Sequence, residues 1–357
     1  MKPCDVEIFD RSFTLLSHTN VNEISYSEDY LSPVSNEVTV FNCLARKGDY
    51  IRIKKGDSEY FGVINSVMTQ DARTMTICFG SFLEVFDTDV LFDTDLQGTS
   101  TIEAVMRDLI SGLFVNNADA SMNIAGLAVS TSSSTAGWGL NLKSDTEGKH
   151  HCIVNLYDTF IVRALEKYSV VCTVNVDVQA KAIALVIGKR PEDPQKIEAD
   201  LPNILEKNII LKETDKDVNK LIVYNTADYS ANRVYYRHSD DTYSTANSDR
   251  LTPVVQEIHG VDVDEGGTFA SAANAEAAEV FGEIEYNNLI ELVVKNDDTI
   301  VKPYSMRIGC VARIISKGEQ YTSILTGKTT GDRTQLTFGT IRLDLTKIIK
   351  RRYANGY

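Results

Sequence analysis

The sequence predicts an α+β chain that is mainly β, with two related antiparallel β-barrel domains and α/β segments attached to them. Three observations point there. Strand-like runs dominate both ends of the 357 residues, helical stretches are confined to the interior, and short motifs near the start recur in the same order near the end.

The opening residues alternate apolar and polar side chains in Val38-Thr39-Val40-Phe41 and Tyr50-Ile51-Arg52-Ile53, the period-two pattern of strands with one buried face. Lys54-Lys55-Gly56-Asp57-Ser58 has the composition of a tight turn between Tyr50–Ile53 and Tyr60–Val67, with Gly56 free to take a positive φ. Residues 1–96 are therefore expected to form a first β-barrel.

From Ser100 the pattern changes. Ser100 and Glu103 have capping-box spacing, and Ile102, Val105, Met106, Leu109, Ile110 and Leu113 share one helical face. A Ser/Thr/Gly-rich loop from Val129 to Gly148 carries the single tryptophan, Trp138. A second helix is expected from Asp158 to Tyr168, with Phe160, Ile161, Ala164 and Leu165 turned inward, followed by a hairpin with Val174, Val176 and Val178 on one face. Residues 97–203 read as an α/β domain closed by Arg190-Pro191-Glu192-Asp193-Pro194, where two prolines remove ladder donors.

Strands are expected again at Ile209–Lys212, Lys220–Tyr224, Arg233–Arg237, Leu289–Val294, Ile308–Ile315, Tyr321–Leu325 and Gln335–Arg342, and a helix in the alanine-rich stretch Phe269 to Phe281. The expected division is a second barrel from residues 204–250 and 300–346, an inserted α/β segment at 251–299, and a basic tail at 347–357. In that tail Lys347, Lys350, Arg351 and Arg352 read as a solvated end.

The internal repeat is the most informative feature. Lys55-Gly56-Asp57-Ser58-Glu59-Tyr60, Val63-Ile64, Arg73-Thr74 and Phe79-Gly80 are matched in order by Lys317-Gly318-Glu319-Gln320-Tyr321, Ile324-Leu325, Arg333-Thr334 and Phe338-Gly339. Chance agreement between turn and strand residues is one reading, and duplication of a barrel is the other. Duplication has a geometric consequence: closed homo-oligomers are usually symmetric, so three two-barrel chains present six similar units and can match a sixfold partner.

A formal net charge of −14 opposes extensive phosphate contact, since nucleic-acid affinity rests on Lys and Arg. An anionic wall could instead let DNA pass without sticking. There is no apolar run long enough to span a bilayer and no signal-like start, so folding in a cytosol is expected. The six cysteines (Cys4, Cys43, Cys78, Cys152, Cys172, Cys310) form no CxxC pair and read as free thiols, with Cys78 and Cys172 buried in strands.

The runs Glu59-Tyr60-Phe61-Gly62-Val63-Ile64, Ile308-Gly309-Cys310-Val311 through Tyr321-Thr322-Ser323-Ile324-Leu325-Thr326-Gly327, and Phe338-Gly339-Thr340-Ile341-Arg342-Leu343-Asp344-Leu345-Thr346 resemble the central hub proteins of phage baseplates. That family includes the N-terminal part of siphophage tail-associated lysins. The resemblance spans nearly the whole chain through framework patterns and not through a catalytic signature. It implies a homotrimer in the virion tail tip, its two barrels per chain lining a ring under the tail tube and closing the channel until DNA is ejected. The implied partners are the tail tube and distal tail protein above, the tape-measure protein within, and receptor-binding or fibre proteins outside or below. The sequence stops at Tyr357, where longer members continue into a spike, a peptidase or a peptidoglycan hydrolase, and that departure puts a lytic role in doubt.

No catalytic residue, cofactor site or metal site is expected. Gly327-Lys328-Thr329 lacks the first glycine of a phosphate loop, with Thr322 in its place, and reads as a hairpin turn. Asp262-Val263-Asp264-Glu265-Gly266 opens like a calcium loop but puts Ala273 where a bidentate glutamate is needed. Phe86-Asp87-Thr88-Asp89 and Phe92-Asp93-Thr94-Asp95 read as acids on a solvated edge. His150, His151 and Cys152 invite a nucleophile or metal reading, which a tail-associated wall-degrading enzyme would require, but neighbours on an extended segment point to opposite faces. The other histidines, His18, His238 and His259, are far apart in sequence. Trp138 stands between two readings, a partner or sugar contact of the kind an adhesin would use and a core anchor.

Overall fold

Glu7, Thr39 and Arg52 each separate two apolar residues, and the period of two turns Val6 and Ile8, Val38 and Val40, and Ile51 and Ile53 to one side of a sheet. A computed structural model of the protein, describing residues 3–71, 73–97, 99–140, 142, 151–189, 195–210, 218–239, 242–263, 267–281 and 286–341, places all six in one core. This sheet is built from β1 (Cys4–Phe9), β2 (Leu15–Val21), β4 (Asn36–Phe41), β5 (Tyr50–Lys55), β6 (Ser58–Thr69) and β7 (Thr74–Ser81), in the order β2-β1-β5-β6-β7-β4, every pair antiparallel. It curls into a half-barrel around Tyr60, Ile64, Ile77 and Phe79. The short strand β3 (Tyr26–Asp29) belongs elsewhere.

The central unit holds the largest core. β8 (Asp89–Asp93) pairs with β10 (His151–Asn155) as a two-stranded ribbon. Helix α1 (Ile102–Phe114) lies over β9 (Leu127–Thr131) and β12 (Ala182–Lys189), and β12 pairs antiparallel with β11 (Val170–Asp177). The expected second helix begins as a π-helical turn over Tyr157–Val162 and continues as α2 (Arg163–Tyr168), with Phe160, Ile161, Ala164 and Leu165 buried as expected. The start of α1 differs from the expected capping box. Thr101 is the cap, accepting from the Ala104 N–H at 3.3 Å, and Glu103 is free to turn inward.

The second half-barrel comprises β13 (Gln195–Glu198), β14 (Ile204–Ile210), β19 (Leu289–Lys295), β20 (Val311–Ser316), β21 (Glu319–Thr330) and β22 (Arg333–Phe338), in the order β13-β20-β21-β22-β19-β14. Inserted between β14 and β19 is a separate four-stranded sheet of β15 (Lys220–Asn225), β16 (Asn232–Arg237), β17 (Tyr243–Ser244) and β18 (Gln256–Val261), covered by α3 (Phe269–Phe281). Sheet pairing thus divides the chain differently from the expected boundaries. Lys220–Tyr224 and Arg233–Arg237 leave the second barrel for the insertion, because the small Ala273 and Ala277 of α3 lie on Leu221 and Val223 and give these strands a cover of their own. Conversely, Gln195–Glu198 leaves the central unit, and Leu289–Lys295 leaves the insertion, to join the second half-barrel. The expected basic tail, 347–357, lies outside the described residues.

The two half-barrels are joined within the chain by β3, which adds antiparallel to β21 with Asp29 opposite Gly327 and Tyr26 opposite Thr330. Tyr30 N–H donates to the Thr326 carbonyl at 2.8 Å, the Ser27 and Thr329 hydroxyls meet at 2.9 Å, and Lys55 Nζ donates to the Gly331 carbonyl at 2.6 Å.

Candidate functional site

The strands around the two repeated motifs follow one plan. In chain order β4, β5, β6 and β7 are arranged in space as β5-β6-β7-β4, and β19, β20, β21 and β22 as β20-β21-β22-β19. Tyr60 faces Ile53 across the first hairpin, and Tyr321 faces Ile314 across the second. Ile64 then pairs with Phe79 and Leu325 with Phe338, and each long strand bulges at the next residue, Asn65 or Thr326, before pairing resumes. Gly80 and Gly339 follow the paired phenylalanines.

A further correspondence escaped the motif comparison. Gly48 has φ 89° and Gly309 has φ 84°, and their N–H groups donate to the Ile64 and Leu325 carbonyls at 2.8 and 2.7 Å. The N–H groups of Ile64 and Leu325 return bonds to the carbonyls of Asp49 and Cys310 at 2.9 and 2.8 Å. Only a residue without a Cβ enters this positive-φ region at little cost. The identical spacing of Gly48 to Tyr60 and of Gly309 to Tyr321 was the available signal.

The hairpin turns slip by one residue relative to the motif alignment. Ser58 pairs with Lys55, so the first turn is Gly56-Asp57, with Gly56 at φ 61°. Glu319 pairs with Ser316, so the second is Lys317-Gly318, both at positive φ (53° and 83°). Burial differs too. Tyr60 is inside the first core, with ring centroids 4.9 Å from Tyr26 and 5.5 Å from Phe79, whereas Tyr321 is half-exposed and its hydroxyl donates to Glu319.

Of the two readings of Trp138, the partner contact gives way to the core anchor. The residue is 2% exposed, packs edge-on against Phe160, and donates from Nε1 to the Ser100 carbonyl at 2.9 Å, so the indole anchors the central core and presents no ring to a sugar or partner. Its loop is held by Glu103, buried in α1, whose carboxylate accepts from the Ser133 hydroxyl at 2.7 Å and from the Thr135 N–H and hydroxyl at 2.8 and 2.9 Å. Burial alone would raise the Glu103 pKa, but these bonds to the ionised form outweigh it and leave it lowered.

The remaining candidates do not converge. His150 lies outside the described residues, His151 is exposed, and Cys152 is buried on the opposite face of β10. Ala273 is buried in α3, and Asp264, Glu265 and Gly266 lie outside the described residues. Asp87 accepts from the Asn155 amide at 2.8 Å, and Asp93 accepts from the Asp95 N–H at 3.0 Å, so these acids organise turns. Gly327-Lys328-Thr329 is not the expected hairpin turn but lies inside β21, where ladders to β3 and β22 on its two sides keep it extended. Among the described residues no group of His, Cys, Asp and Glu is placed to hold a metal ion.

Where the half-barrels and central unit meet, a cleft of about 370 Å³ is lined by residues including Glu28, Tyr30, Tyr157, Cys172 and Lys328. Glu28 and Lys328 are opposite one another in the β3–β21 ladder. Burial pushes the Glu28 carboxyl up and the Lys328 amine down, and their mutual attraction opposes both shifts. The Tyr30 hydroxyl accepts from the Cys172 N–H at 2.8 Å, and the Tyr157 hydroxyl donates to the Tyr30 carbonyl at 3.0 Å, tying the junction to the central core.

No family model and no curated protein matches the sequence. Solved structures do match, over almost the full length of both partners. The 43 kDa tail protein of prophage MuSo2 from Shewanella oneidensis aligns over 96% of this chain and 98% of its own, with a TM-score of 0.54 at 12% identity. The chain has the fold of phage tail and baseplate proteins. A tail protein from Neisseria meningitidis MC58 covers 95% of this chain and 97% of its own (TM-score 0.53, 13% identity). A chain of the phage P2 baseplate in its activated conformation with Ca covers 94% and 98% (TM-score 0.52, 10% identity). The structural similarity agrees with the family resemblance read from the framework motifs.

Proposed function

We propose that this protein is a structural hub of a phage or prophage tail tip, three copies of which close into a ring whose six half-barrels meet a sixfold tube on one side and a threefold tip on the other. The observation carrying this reading is the repeated geometry: the same four-strand order, the same bulge and the same positive-φ glycine in two modules of one chain. Three such chains approximate a hexagon without six identical subunits.

The fold shared with tail and baseplate proteins supports the same reading. The modules occupy the two ends of the sequence, and β3 and the central unit tie them together. The ring encloses a channel through which DNA passes, and the net charge of −14 favours passage without adhesion. The partners on this reading are the tail tube, the distal tail protein, the tape-measure protein, and receptor-binding or fibre proteins. The role on this reading is structural: Trp138 is buried and His151 and Cys152 lie on opposite faces of β10, so among the described residues these candidates do not come together as a wall-degrading or glycan-binding site.

Light scattering on the purified chain, with electron microscopy of the same sample, tests this. A threefold particle with six repeated densities around a central opening is expected. A mass that stays monomeric at the highest attainable concentration would overturn it.

A further inference from the structure

The last residues of β21 and β6 overhang their hairpin partners in the same way. Beyond the bulge, Gly327–Thr330 pairs with β22 on one side, and on the side vacated by β20 it is covered by β3 of the other half-barrel. Ser66–Thr69 pairs with β7 on one side. On the side vacated by β5, none of the described residues bonds to its backbone.

Which groups face that open side follows from the ladder. Ile64 exchanges bonds with Gly48 and Asp49, so its polar groups point toward β5. The bulge at Asn65 restores the outward direction at Val67 and Thr69, while Met68 and Gln70 face β7, and Gln70 N–H indeed donates to the Thr74 carbonyl. Lys328 and Thr330 occupy the equivalent places in β21.

From this we infer that the Ser66–Thr69 edge of β6 is an assembly contact, completed by strand addition from the second half-barrel of a neighbouring copy of this chain, as β3 completes β21 within the chain. The inference rests on the ring reading. If six half-barrels are equivalent, each overhang is capped by the preceding module, so three junctions are made within chains and three between them. Two observations favour a copy of this chain over an unrelated partner. The chain already carries one such junction in the same register, and the sheet bearing the edge exposes the apolar side chains Met68 (51%) and Phe41 (62%) on its outer face. An unpaired edge of this kind is a template for another strand, and native proteins that leave one open use it or block it.

Amide hydrogen exchange on the full chain, in the assembled state and after dilution to monomer, tests the inference. The Val67 and Thr69 amides are expected to exchange at least about tenfold more slowly in the assembly. Thr69→Pro removes an N–H that points away from β7 and is therefore compatible with the folded monomer. It is expected to weaken assembly by about tenfold, the equivalent of one lost bond of roughly 1.4 kcal/mol. No assembly by the wild-type chain at any concentration would overturn the ring reading and this inference with it. Assembly with unchanged exchange at Val67 and Thr69 would overturn the inference alone, and so would wild-type affinity in a folded Thr69→Pro chain. If Thr69→Pro does not fold, the exchange measurement decides.

Discussion

The two half-barrels share a plan but meet their surroundings differently. The second is finished within the chain: β3 covers its overhang, Glu28 and Lys328 face one another at the seam, and its outer face carries Glu291, Lys295 and Arg333. The first is left open at Ser66–Thr69 and exposes Leu15, Phe41, Leu44 and Met68. Equivalent backbone geometry thus supports two surroundings: the second overhang is covered within the chain, while the first is left open, and the second half-barrel exposes Leu201 and Ile300 in its loops. The shared plan lies in the backbone, at the bulge and the positive-φ glycine, and the side chains around it differ.

The strongest test of that equivalence is in the cores. Phe79 and Phe338 are fully buried and occupy the same ladder position, so Phe79→Ala and Phe338→Ala are each expected to cost about 3–5 kcal/mol in urea unfolding. Losses that differ by more than that range would break the comparison. The glycines come next. Gly48→Ala and Gly309→Ala both force a Cβ into a positive-φ position, with a strain of roughly 1–3 kcal/mol expected from thermal denaturation of each. The added Cβ would also meet the mobile end of Arg11 at Gly48, but the Val171 side chain in the central core at Gly309. The second substitution should therefore be the costlier.

The seam gives a smaller effect and a contrast between the modules. Lys328→Met leaves Glu28 without the cation opposite it and is expected to destabilise, whereas adding Glu28→Gln should restore most of the loss, about 1–2 kcal/mol. The pH dependence follows from the Glu28 shift. Burial raises its folded pKa above the ordinary value of 4.5, so the folded state holds the proton more tightly than the unfolded chain, and this group's contribution to stability falls as pH rises from 4.5 through the folded value. Unfolding midpoints in Glu28→Gln should lack that decline. The weakest effect is expected at Glu103, whose lowered pKa gives the opposite sign: its contribution is present above 4.5 and lost as pH falls through the folded value. Glu103→Gln should flatten the acid limb without touching either half-barrel.

Much of this was legible in the residues. Alternation located the hairpins, and alanine content located Phe269–Phe281 with the bounds observed. The repeat was visible at Tyr60 and Tyr321 and at Phe79 and Phe338, because a shared ladder fixes their spacing to the bulge. The turns misled by one residue, since Lys55-Gly56 and Lys317-Gly318 look alike in composition while Gly56 is the first residue of its turn and Gly318 the second of its own. Sheet membership was less accessible. Lys220–Tyr224 and Ile290–Val294 carry similar alternation, and only packing against α3 separates them. Trp138 could be resolved only by knowing that Ser100 and Phe160 would surround it. Nothing local marked β3 as the partner of β21, because that pairing joins residues from opposite ends of the sequence.

That long-distance pairing has a consequence for synthesis. Tyr26–Asp29 leaves the ribosome early, yet it has no ladder to join until Gly327–Thr330 has been made, so its closure is a late event with a high loop-closure cost. A chain interrupted anywhere before β21 keeps a bare strand that marks it as unfinished. Once Gly327–Thr330 has joined it, the strand is hidden, and the earliest and latest parts of the second half-barrel's ladder become one surface.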